Sequence, residues 1–274
     1  MSTEKAARIR RKLMAMLDNC QIYPRKNADL DEVSLALFAR MAELHGSICV
    51  LVAKGKRRDA VILGRTLCEA VISHYWLTNR DTDTRIDRYI KFGGQVRLES
   101  MARVKEIFGY IHVPSDKTEI MLLKQAEALF PKGSYKWNNV GIGDMAREPD
   151  EYEARADGTS ANLSPQHRLF YFWFSLLSHP CIHALECFLP LSGKPFGSAK
   201  PSYSYRTIPE LYVVFLSTCW LLQIAVRINQ VLKLRLDTKL SGIFDEIRRK
   251  KALSGAPLAA SPQKGSAGSR PKAR

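Results

Sequence analysis

The stretch Ala60-Val-Ile-Leu-Gly-Arg-Thr-Leu-Cys-Glu-Ala-Val-Ile-Ser-His-Tyr-Trp-Leu77 decides how the rest of the chain is read. It holds only two charges, Arg65 and Glu69, in eighteen residues. It is too long for a strand and apolar on nearly every side, which predicts a central helix over about 59–78. Arg65, Glu69 and Ser73 recur every fourth residue, so they form one polar line on that helix.

The same period extends in both directions. Upstream, Leu37, Met41, Leu44, Ile48 and Leu51 predict a helix over about 29–53, and Lys54-Gly-Lys-Arg-Arg58 makes an exposed turn. Downstream, helices are predicted over about 84–108 and 116–129, with a short one near 142–147 in a stretch punctuated by Gly, Pro and Asn. Further helices follow over about 165–189, with Pro165 in the first position, 209–236 and 240–251. No useful strand alternation appears. The fold expected is all-α: a basic helical extension (1–26), a single bundle of about six to seven helices (27–251), and a disordered basic tail (252–274).

The stretches 211–226 and 169–185 are apolar but fall short of the roughly twenty residues a bilayer span needs, so both read as buried core helices. The start of the chain has no apolar run of the kind a signal peptide carries. Six cysteines, none in a C-x-x-C pair and most inside apolar runs, fit reduced, buried thiols in a cytoplasmic protein.

Charge is concentrated at the ends. Residues 1–26 carry seven Lys/Arg against two acids, and residues 247–274 carry eight against none, leaving 27 against 25 between them. Such ends can hold nucleic acid or another polyanion weakly and without sequence preference. A homo-oligomer is compatible with this pattern.

The helix expected over 165–189 also carries a polar line, Ser175, His179 and His183. Two nearly all-apolar helices with one polar stripe each are expected to turn those stripes toward one another, because an unpaired buried charge costs several kcal/mol. The expectation is a buried polar centre of Arg65, Glu69, Ser175 and His179. It would be either an ion pair that fixes helix register, as in an interaction scaffold, or a ligand-binding pocket, with Arg65 holding an anion, His179 moving protons and Glu69 orienting one or the other. His179, His183 and Cys187 are spaced as metal ligands, yet nothing else in the sequence completes a site, so no metal and no cofactor is expected. A Gly-rich phosphate loop, a Ser nucleophile elbow and an H-E-x-x-H motif are all missing.

Two resemblances follow. Arg40-Met-Ala-Glu-Leu-His45 is similar to the Arg and His, separated by four to six residues, of the HEPN ribonucleases. It implies a metal-independent ribonuclease of toxin or phage-defence type, with Arg40 holding phosphate and His45 moving protons. Here a Met follows the Arg, and the spacing does not align the two on one helical line. The other covers more of the chain. Arg65-Thr-Leu-Cys-Glu69-Ala, then Trp137, Met145-Ala-Arg147 and Tyr171-Phe-Trp-Phe-Ser175-Leu-Leu-Ser-His179-Pro180, resembles in order the R-S-L-x-E-A helix, Trp, short helix and Y-x-x-x-S-x-x-x-H-P block of a bacterial domain-of-unknown-function family, numbered fifty-six seventy-seven. That resemblance would run over about 30–235, with 148–164 and the tail as additions. It implies an all-α fold, singles out Arg65, Glu69, Ser175 and His179, and supplies no activity.

Overall fold

The computed structural model describes residues 1–20, 28–110, 114, 116–131, 140–157, 161–171 and 210–253, without the side chains of 210–211 and 249–253. Every regular element among them is helical: α1 (Thr3–Asp18), α2 (Ala28–Ala53), α3 (Arg57–Asn79), α4 (Thr82–Phe108), α5 (Lys117–Leu129), α6 (Ile142–Asp157), α7 (Leu163–Gln166, continued by a π-helical turn His167–Tyr171), α8 (Glu210–Leu232) and α9 (Asp237–Leu253). The chain divides into two compact units, Met1–Asp237 and Thr238–Arg274.

Helices α2, α3 and α8 pack on one another and supply the core of the first unit, where Met41, Ile48, Leu67, Ile72, Leu77, Trp220 and Ile224 lose essentially all contact with water. The α2–α3 corner is a glycine turn. Gly55 adopts φ +71°, and the N–H of Lys56 reaches back to the carbonyl of Leu51 at 2.8 Å. Helix α1 places Ile9, Leu13 and Leu17 against α2 and α8. Gly46 makes room there: a Cβ on it would collide with the Arg10 guanidinium, whose Nη1 donates to the carbonyl of Ala42 at 3.3 Å.

Helix α2 and the stretch Tyr212–Leu232 of α8 are long and apolar enough to cross a bilayer by length and composition alone. Both are also core helices of the bundle. Their polar residues Ser34, His45, Ser217 and Thr218 are fully buried, and Asn229 nearly so.

Two expectations change. The short helix near 142–147 runs on to Asp157 straight through Pro149, so 148–157 is a structural helix face rather than an added loop. Helix α7 starts two residues earlier than predicted, at Leu163, which puts Pro165 at its third position. The rest of the helix expected over 165–189 lies outside the described residues beyond Tyr171, as does the tail from 254.

Candidate functional site

Helix α3 runs through the middle of the bundle, and its polar line meets the π-helical turn. Arg65 Nε donates to Glu69 Oε1 at 3.1 Å, one turn away, and Arg65 Nη2 donates to the Tyr171 hydroxyl at 3.1 Å. The guanidinium carbon lies 5.0 Å from the Tyr171 ring centre. Held at two nitrogens, the guanidinium plane is fixed. Burial works against its charge, but the bonds to Tyr171 and Glu69 more than offset this and raise its pKa above the ordinary arginine value. The pair is half-buried, with side-chain exposures of 24% for Arg65 and 37% for Glu69, rather than sealed in the interior as the apolar sequence around it suggests.

His167 completes the neighbourhood. Its ring stacks on that of Tyr171, four residues on, with centroids 4.7 Å apart. Gly143, in the first turn of α6, admits the ring edge: a Cβ there would stand 3.2 Å from His167 Cε1. His167 Nε2 is buried without a hydrogen-bond partner. Burial, helped by the Arg168 charge, lowers its pKa and keeps the ring neutral at pH 7.

The turn itself is held from α6 and α8. The Asp150 carboxylate accepts the backbone N–H groups of Leu163 and Ser164, at 3.0 and 2.7 Å, and so caps α7 from another helix. Trp220 Nε1 donates to Gln166 Oε1 at 2.6 Å, and Gln223 Nε2 donates to the Ala161 carbonyl at 2.8 Å.

Helix α6 carries two further anchors. Glu148 accepts from Arg85 Nη2 and Arg80 Nε, both at 2.6 Å, and from Trp76 Nε1 at 3.0 Å, while Arg85 stacks 3.6 Å over the Trp76 ring. Burial opposes ionisation of Glu148, but these donors prevail and hold its pKa below the usual carboxylate value. Arg227, which closes the apolar run of α8, donates from Nη1 to Glu153 Oε1 at 3.1 Å, and from Nε and Nη2 to the hydroxyl and carbonyl of Thr78.

The ribonuclease-like pair is not brought together. Arg40 lies on the exposed face of α2 and pairs with Glu43 at 3.3 Å. His45 is fully buried, with Nε2 2.9 Å from Thr218 Oγ1. The single Thr218 hydroxyl proton points at the Val214 carbonyl, 2.7 Å away, so Thr218 accepts and His45 carries its proton on Nε2. Burial, with the Arg10 charge adding to it, lowers the His45 pKa to about 4. Burial likewise raises the neighbouring Cys49 thiol to about 11, against the pull of Arg10.

Ser175, His179, His183 and Cys187, and with them Trp137, lie outside the described residues. Among the described residues no group of three or more His, Cys, Asp and Glu is placed to hold a metal ion. Sequence reasoning found Arg65 and Glu69 but passed over His167, Gly143 and Asp150. The available signal was the neighbouring Pro165-Gln-His167 at the start of an apolar helix, where a polar ring needs a reason.

Nothing among curated proteins and nothing among solved structures matches the chain. One family model does match, over residues 31–192, more than half of the chain. The match begins in α2 and takes in α3 through α7, so it contains Arg65, Glu69, His167 and Tyr171 and ends short of α8. By that match, the chain belongs to the family of unknown function DUF5677.

Proposed function

We propose that this protein binds a small anionic ligand at the Arg65 site, on an otherwise structural helical scaffold. The observation that carries the reading is the two-sided clamp on Arg65: Glu69 and Tyr171 fix its guanidinium while the pair stays in partial contact with solvent. A preorganised, accessible guanidinium is the side chain best suited to an oxyanion. His167, neutral and with an unpartnered Nε2, supplies a second polar group beside it. In this reading Glu69 orients Arg65. A cytoplasmic location belongs to the same proposal, supported by the buried cysteines Cys49 and Cys68, neither of which is in a disulfide. The basic ends add weak, salt-sensitive contact with polyanions.

The ribonuclease reading on Arg40 and His45 finds no observation in its favour, since one side chain faces water and the other is neutral and enclosed.

The test is thermal unfolding of the full chain in rising inorganic phosphate, against chloride at matched ionic strength. Selective binding raises the midpoint by a few degrees, and Arg65→Gln removes that rise. Equal midpoints in the two salts, or an unchanged rise in Arg65→Gln, would overturn the proposal.

A further inference from the structure

Helices α4 and α5 form an antiparallel hairpin whose pairing is set residue by residue. Phe92 packs edge-on against Phe130, Gly94 lies against Leu122 and Ala126, and Arg97 pairs with Glu119. That register leaves Lys117, the first residue of α5, opposite about Glu99. The remaining nine residues of α4, Ser100–Phe108, therefore project roughly 13 Å past the start of α5 at 1.5 Å per residue.

The hairpin around this end exposes large apolar side chains among its charges. From Val96 to Met121 no described residue is buried, yet Ile107, Phe108, Tyr110 and Met121 are 70%, 65%, 64% and 55% exposed, with Val96 and Ile120 also open. Val96 and Ile107 stand three turns apart on one line of α4. At roughly 200 Å² per large side chain, these six expose on the order of 600 Å². Summed over the arm, that is comparable with the largest apolar patch of an ordinary soluble monomer and about three quarters of the roughly 800 Å² each partner gives to a stable interface.

Charge selects the occupant. The chain as a whole carries +15, but residues 96–129 hold five basic and five acidic side chains. A strongly acidic or basic partner gains nothing from such an arm, whereas a second copy meets it without like-charge repulsion, and a helical hairpin meeting its own image forms a four-helix bundle. We propose that two copies of this chain dimerise through the projecting ends of α4 and the start of α5. The inference is independent of the Arg65 site.

Sedimentation of the full chain across micromolar concentrations tests it, beside Ile107→Glu/Phe108→Glu, Met121→Glu, and Val50→Glu as an exposed apolar control on α2. The expected result is twice the 31.0 kDa chain mass for wild type and Val50→Glu, with both arm variants at 31.0 kDa and unchanged in helical circular dichroism. A monomeric wild type, or arm variants that still dimerise, would overturn the proposal. So would loss of the dimer in Val50→Glu alone.

Discussion

The carboxylate of Asp150, on α6, holds the backbone N–H of Ser164 at 2.7 Å and so starts the helix that carries His167 and Tyr171. A residue in what the sequence presents as a polar loop thus positions the turn against which Arg65 is clamped. Stability and site geometry are coupled through one side chain.

Asp150→Ala should cost about 1–2 kcal/mol, the loss of a cap that accepts two backbone donors. It should also speed amide exchange across 163–171 and weaken the phosphate-induced rise in melting midpoint. Exchange in that segment equal to wild type would refute the coupling.

Glu148→Ala strips three donors of their acceptor, among them the buried Arg85. The expected loss is about 2–3 kcal/mol, because the buried Arg85 guanidinium, left with only the Trp76 carbonyl and ring, keeps most of its desolvation cost without a counter-charge. Urea unfolding measures it; a loss below about 0.5 kcal/mol, the level of an ordinary surface substitution, would show that the cluster is incidental.

Acid sensitivity follows from two buried imidazoles. Burial lowers His45 to about 4 and His74 to about 3, with the Arg10 and Arg227 charges adding to each. Both folded pKa values lie below the unfolded value of 6.5, so the unfolded chain binds more protons in this range. Stability is therefore full above about pH 6.5 and is lost as the pH falls through the folded values, by about 3 kcal/mol for His45 alone. Neither ring nitrogen of His74 has a hydrogen-bond partner, so His74→Leu should leave stability at pH 7 unchanged or higher and flatten the acid slope. A urea midpoint that does not move from pH 7 to the folded values would contradict this, as would a His74→Leu variant with the wild-type slope.

What the sequence makes legible is whatever is local. The four-residue recurrence of Arg65 and Glu69 gives their ion pair directly, and the apolar period gives α2 through α5 to within two residues at each end. Helix α6 was not legible because its evidence is remote. Glu148, Asp150 and Glu153 look like a solvated run interrupted by Pro149, and only Arg85, the N–H groups of 163–164 and Arg227, from three other segments, turn them inward. The unpaired-looking Arg227 at the end of an apolar helix was the clue that such partners must exist. Likewise, His45 reads as half of an Arg–His motif until Thr218, 173 residues away, supplies its partner.

A fixed guanidinium at position 65 that meets an anion is read directly by arginine side-chain NMR. In the nitrogen-labelled protein the Nε–H signal lost in Arg65→Lys should be protected from solvent exchange by Glu69. On titration with inorganic phosphate it should shift saturably while the signals of surface arginines stay still. An Arg65 Nε–H signal that exchanges freely, or one that drifts with phosphate no more than those of the exposed arginines, would contradict the central claim.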